Sequence, residues 1–153
     1  MKYLKEKFGK YFQFKNTING KDYFLRGLSL ILFFIPIGIF VGVGVALITT
    51  NVVLAGLLIG LGALFLIPTM WFSLATTYKR ISSFFPSNAG WLTALTFLFS
   101  FVVEGFNPNN GLSNPHLYVN PFDSPIYIAL LLISLVWSIY LLFGNSKVKK
   151  HIG

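Results

Sequence analysis

Apolar residues run through this chain in four long stretches separated by polar segments. A helix needs about 20 apolar residues to cross the ~30 Å hydrocarbon layer of a bilayer, at 1.5 Å per residue. Residues 27–48 make the first stretch, and Thr49-Thr50-Asn51 interrupts it with three polar residues, enough for a tight helical hairpin turn. Residues 52–76 make the second. It closes on Trp71, Phe72 and Tyr78, aromatics suited to the headgroup level. Residues 87–103 form a third stretch near the lower limit for spanning. Residues 124–143 form a fourth, with Tyr127 at one end and Trp137, Tyr140 and Phe143 at the other. The pattern predicts an all-α, polytopic membrane protein. A basic arm occupies residues 1–26, a four-helix transmembrane domain residues 27–144, and a basic tail residues 145–153.

Composition strengthens this reading. The chain has 153 residues, of which 55% are hydrophobic and 10% charged, against about 25% charged in soluble domains. No charge occurs in the 52 residues between Arg26 and Lys79. A soluble domain of this size has too much surface to hide such a run, so a soluble enzyme, a disordered tail and a disulfide scaffold are excluded. The first stretch is longer than a signal h-region and lacks a small-residue cleavage site, so it is expected to be retained. With no cysteine, thiol ligands, thiol nucleophiles and disulfides are excluded.

Charge sorts by position. Of the 12 Lys and Arg, seven precede residue 27, two are Lys79 and Arg80, and three are Lys147, Lys149 and Lys150. The turn at 49–51 and the loop from Glu104 to Asp123 hold none. Basic loops stay on the cytoplasmic side of a membrane, so four crossings put both termini there and Glu104 and Asp123 opposite. Within the arm, Leu4, Phe8, Tyr11 and Phe12 share a helical face flanked by Lys2, Lys5, Lys7 and Lys10. This predicts a short interfacial amphipathic helix on an anionic leaflet. Basic and aromatic interleaving also suits single-stranded nucleic acid, but a span so close by makes the lipid bilayer the expected partner and nucleic acid not.

Inside the spans, Gly38 with Gly42 and Gly56 with Gly60 form two G-x-x-x-G pairs. Small residues let helix backbones approach closely in lipid. Counted outward from Thr50, Gly44 matches Gly56 in depth and Gly38 matches Gly62, so internal packing of the first two spans is favoured over a homodimer face. Pro36 and Pro68 are expected to kink their helices. No ionisable residue lies mid-span, which argues against a pump or proton-coupled transporter. The hydroxyls of Thr69, Ser73, Thr76 and Thr77, and of Thr93, Thr96 and Ser100, keep helical spacing. Bonds between helices or to the i−4 carbonyl are favoured for them over a pore lining. In the outer loop Glu104, His116 and Asp123 have mixed chemistry but no metal-site spacing. No catalytic residue, metal or cofactor is therefore expected.

Two stretches resemble a known family. Phe14-Lys15-Asn16-Thr17-Ile18-Asn19-Gly20-Lys21-Asp22-Tyr23-Phe24 is similar to the pre-membrane motif of the bacterial domain-of-unknown-function 805 proteins. Phe14, Lys21, Asp22, Tyr23 and Phe24 fit the motif, and Asn16, Thr17 and Gly20 stand where it has a glycine and two arginines. Tyr78-Lys79-Arg80-Ile81, followed by Asn88-Ala89-Gly90-Trp91-Leu92, resembles the family's basic turn and its later small-glycine-tryptophan, with Ser82 and Ser83 in place of histidine and aspartate. The resemblance implies a small inner-membrane protein of about four helices and no assigned chemistry. Asp22 is expected to pair with Lys79 or Arg80, clamping the arm onto the second loop, with Gly90-Trp91 at the interface. The function expected is a non-catalytic accessory, scaffold or interaction subunit with a membrane-protein partner or a homo-oligomer. The alternative is an oligomeric pore or small-solute channel, including a phage-type hole former.

Overall fold

The computed structural model describes residue 9, residues 11–110 and residues 120–148. Most of the expected amphipathic helix and the end of the basic tail lie outside these residues. The described chain is helical throughout its regular structure. The helices are α1 (Gly20–Ala46), α2 (Val52–Ser82), α3 (Ala89–Gly105) and α4 (Pro125–Phe143), with a 3-10 turn at Pro121–Asp123. Helices α1, α2 and α4 are long and apolar enough to cross a membrane, whereas α3, with 17 residues, is a shorter apolar helix.

Local sequence explains the ends. Asn19 caps α1 by accepting from the Asp22 amide at 2.7 Å. Asp22 itself sits in the first turn, where a carboxylate complements the positive end of the helix dipole. The helix therefore begins seven residues before the first apolar stretch. Asn51 caps α2 through the Leu54 amide at 3.1 Å, and Ser124 followed by Pro125 opens α4. At 27 and 31 residues, α1 and α2 are about 40 and 46 Å long, well beyond a hydrocarbon layer. Their excess length carries Asp22 and Arg26 on one helix and Lys79 and Arg80 on the other. Pro36 and Pro68 lie within these continuous helices.

Helices α1 and α2 form an antiparallel hairpin, and the glycines that make it differ from those the motifs suggested. A Cβ on Gly44 would come within 2.7 Å of Ile59 Cγ1 and 3.1 Å of the Ala55 carbonyl oxygen, and one on Gly62 within 2.7 Å of Val41 Cγ2. Gly38, Gly42, Gly56 and Gly60 would meet nothing within 4 Å. The expectation that the two G-x-x-x-G pairs pack α1 on α2 is therefore corrected. The seam runs through Gly44, Ala55 and Gly62, and both motif pairs face outward. The helical phase fixes this: Gly44 lies two residues from Gly42, and Gly62 two from Gly60, which is more than half a turn. Alanine at Gly42 or Gly60 should stabilise the protein by about 0.5–1 kcal/mol through helix propensity. Alanine at Gly44 should cost about 1–3 kcal/mol through overpacking. Denaturant titration of helicity in mixed micelles separates the two signs.

Buried side chains concentrate at one end of the molecule. Ile81, Phe84, Ala89 and Leu141 form its core, with Tyr23, Tyr78 and Trp137 packed around them. Here the segment before α1, the end of α2, the start of α3 and the end of α4 converge. Away from it the helices expose Leu, Ile, Val and Phe along most of their length. The seam between α3 and α4 is crossed by a hydrogen bond from Trp137 Nε1 to Thr96 Oγ1 at 3.1 Å. Beside it lies an apolar groove of ≈ 450 Å³ lined by Leu95, Phe99, Val102 and Ile133 among others.

Candidate functional site: the junction around Arg80

All cations among the described residues belong to the converging segments: Lys15, Lys21 and Arg26, then Lys79 and Arg80, then Lys147. The largest fully buried side chains at this end are Arg80 and Lys79, each 1% exposed. Arg80 organises the junction. Its Nε donates to the Leu141 carbonyl, Nη1 to the Ile18 carbonyl at 3.3 Å and to Ser83 Oγ at 3.4 Å, and Nη2 to the Gly144 carbonyl at 2.9 Å. The guanidinium carbon stands 4.4 Å from the centre of the Phe84 ring, which in turn lies 4.8 Å from the Tyr140 ring.

The chemistry of this arrangement follows from α4. A helix ends with four unsatisfied carbonyls and a negative dipole end, and α4 has no basic residue in its last turn. Arg80 supplies the missing cation from α2, and its planar fork bonds two of the terminal carbonyls at once. Ser83 donates back to the Arg80 carbonyl at 2.6 Å, and its own carbonyl accepts from the Lys147 amide at 3.0 Å. The polypeptide after α4 is thereby laid across the α2–α3 turn.

The pairing expected of Asp22 takes another form. Arg80 spends its donors on three backbone carbonyls and on Ser83 Oγ, and Asp22 acts electrostatically on Arg26, one turn further along α1. The arm is held against the last turns of α2 by other groups. Phe14 packs edge-on against Trp71 at 5.1 Å and Tyr78 at 5.5 Å, and Trp71 Nε1 donates to the Phe12 carbonyl at 3.0 Å. Gly20 completes the junction: a Cβ there would collide with the Leu142 carbonyl oxygen, so glycine is what lets the start of α1 lie against the end of α4. Gly90 and Trp91 stand on the exposed face of the first turn of α3.

Most of the other candidate residues have local roles. The hydroxyls of Thr69, Thr93, Thr96 and Ser100 donate to their own i−4 carbonyls at 2.7–3.1 Å. Thr76 Oγ1 is buried without a hydrogen-bond partner. At the opposite end Asn107 Nδ2 donates to Glu104 Oε1 at 3.4 Å, and Asn120 Nδ2 to Asp123 Oδ1 at 3.3 Å. His116 lies outside the described residues. Among the described residues no group of three or more His, Asp or Glu is placed to hold a metal ion.

No family model, curated protein or solved structure matches this chain.

Two features of the junction were not expected from the sequence. Gly20 had no visible signal, because its need arises from α4, more than 120 residues away. The capping of α1 had one: Asn19 three residues before Asp22 is the spacing of a helix start.

Proposed function

We propose that the chain is a non-catalytic integral protein of a bacterial inner membrane, an accessory or scaffold subunit that crosses the bilayer four times with both termini on the cytoplasmic side. The observation that carries the reading is the contrast between the two parts of the molecule. The basic end is closed by a buried arginine and a packed core, whereas the apolar helices beyond it expose most of their side chains and meet one another loosely at the α3–α4 seam. Lipid association rests on packing rather than on a hydrophobic drive. Helix faces such as Gly38-Gly42 and Gly56-Gly60, open to close approach, suit contacts with another membrane protein.

Four crossings are supported by the course of α3, which starts in the basic core at Ala89 and ends at Glu104 and Gly105, remote from every described cation. Helix α4 returns to the core at Leu141. Kinship with the domain-of-unknown-function 805 proteins is supported by Asn16. It stands where their motif has glycine and adopts φ 69°, a left-handed conformation that glycine takes freely and asparagine tolerates best of the other residues.

Gentle detergent extraction with mass spectrometry tests the role: a partner at fixed stoichiometry is expected, and recovery of the chain alone argues against a subunit. Topology is read by single cysteines at the exposed positions Thr50, Ser87, Asn120 and Asn145. Labelling from outside is expected at Thr50 and Asn120 only. Accessibility of Ser87 and Asn145 from opposite compartments would refute the four-crossing arrangement.

A further inference from the structure

The groove between α3 and α4 has walls suited to a hydrocarbon chain. Leu92, Leu95, Phe99 and Val102 stand at i, i+3, i+7 and i+10 on one face of α3, a strip about 15 Å long. Ile133 and Trp137 of α4 form the facing wall. The two polar side chains at the seam are already satisfied. Trp137 Nε1 donates to Thr96 Oγ1 at 3.1 Å, and Thr96 donates in turn to the Leu92 carbonyl at 2.8 Å. The groove therefore offers a ligand apolar contact and asks nothing polar of it.

Size and depth narrow the occupant. The groove measures ≈ 450 Å³. An apolar cavity of about 150 Å³ holds one benzene ring, so three times that volume takes on the order of eighteen carbons, which is one acyl tail. A strip of about 15 Å is half of the ~30 Å hydrocarbon layer, the depth of one leaflet. Left empty, the groove forfeits dispersion contacts along both walls, and helices in lipid have no hydrophobic drive to close over it. A docked helix is a poorer fit, being about 10 Å across with its side chains, whereas α4 lines the groove over a single turn.

Charge sets the direction of the tail. At one end Leu92 and Trp137 pack on the core of the basic end, as does Phe85. The Lys147 ammonium stands 5.5 Å from the centre of the Phe85 ring. Its backbone amide is tied to the Ser83 carbonyl at 3.0 Å, and the residue is exposed. At the other end Glu104 follows Val102 by two residues. A negative headgroup is attracted at the first end and repelled at the second.

We propose that the α3–α4 groove binds one acyl tail of an anionic phospholipid, whose phosphate faces Lys147. The site rests on the reading of α3 and α4 as crossings. Cysteine labelling tests that reading by itself, and lipid retention in micelles does not depend on the direction of crossing.

Native mass spectrometry of the full chain in neutral detergent tests the site, with phosphatidylglycerol and phosphatidylcholine of identical tails as probes. One phosphatidylglycerol per chain is expected, retained at about one fifth of the concentration needed for phosphatidylcholine, the preference that one lysine near a charged headgroup confers. Lys147→Gln should remove this preference, and Lys21→Gln, an exposed cation on α1, should keep it. Val102→Trp fills the groove and should abolish retention of both lipids. Equal retention of the two lipids by the wild type, or retention that Val102→Trp leaves unchanged, overturns the proposal. A dimer that Val102→Trp dissolves, with no lipid held, gives the groove to a second copy and overturns it as well. Should Val102→Trp fail to fold, fluorescence decides. With Trp71→Phe and Trp91→Phe leaving Trp137 as the sole tryptophan, phosphatidylglycerol with brominated tails is expected to quench the emission and to saturate at one lipid per chain. Quenching that rises without saturating overturns the site.

Discussion

Arg80→Ala is expected to lower the unfolding free energy by about 3 kcal/mol and to open the basic end of the protein. The magnitude weighs two opposed terms. Hydrogen bonds to a charged group contribute about 1.5–3 kcal/mol each, and Arg80 makes them to Leu141, Ile18 and Gly144. Burying the guanidinium costs several kcal/mol, which the variant recovers. Three carbonyls are nonetheless left without their donor beside a core already closed around them, and the Phe84 ring loses the cation it faces. The balance is therefore a loss. Arg80→Lys should restore less than half of it, because an ammonium is a point charge and cannot bond several carbonyls through a fixed planar fork. Denaturant titration in mixed micelles gives the free energy. A reporter cysteine at Ser83, fully buried in the native junction, gives a local readout. It should react slowly in an otherwise native chain and quickly once Arg80 is replaced. Slow labelling in both chains would show that the junction closes without the arginine.

Gly20→Ala should cost about 2–3 kcal/mol, the upper part of the range for overpacking. The added methyl would collide with the Leu142 carbonyl oxygen and lie 3.3 Å from Arg80 Nη2. A backbone oxygen cannot rotate away as a side chain can, so the start of α1 or the end of α4 has to move. Either shift lengthens the Arg80 bonds to Ile18 and Gly144. The cost of Gly20→Ala and that of Arg80→Ala should then fall short of additive in the double variant, because the two changes break the same contacts. Strict additivity would mean that Gly20 and Arg80 support the junction independently. Gly27→Ala provides the control, since a Cβ there meets nothing within 4 Å and mid-helix glycine is the poorer helix former.

Particular residues show where sequence reasoning reaches. Asn51, Ser124 and Pro125 mark helix starts because capping and the fixed φ of proline act over three or four residues. The four apolar stretches appear as four helices because each is long enough to make its own backbone bonds. Helix α1 nevertheless begins at Gly20, since Asn19 and Asp22 cap it before the apolar stretch is reached. The G-x-x-x-G pairs misled for a related reason: spacing tells that two glycines share a face of one helix, and not which way that face turns. A register offset of two residues put Gly44 and Gly62 at the seam instead. Charge alone suggested that Asp22 pairs with Lys79 or Arg80, but the Arg80 guanidinium donates to the Leu141, Ile18 and Gly144 carbonyls and to Ser83 Oγ.

The sequence by itself determined the helical class, the apolar character of the spans and the gathering of every cation outside the long uncharged run. These follow from hydropathy and local hydrogen bonding, which depend on near neighbours in the chain. Only the tertiary structure decided which glycines touch a neighbour, that Arg80 caps a helix some sixty residues further on, and that Arg26 is buried with a donor unmet. Those depend on the rotation of each helix about its axis and on which ends meet, and both are set by contacts between residues far apart in sequence.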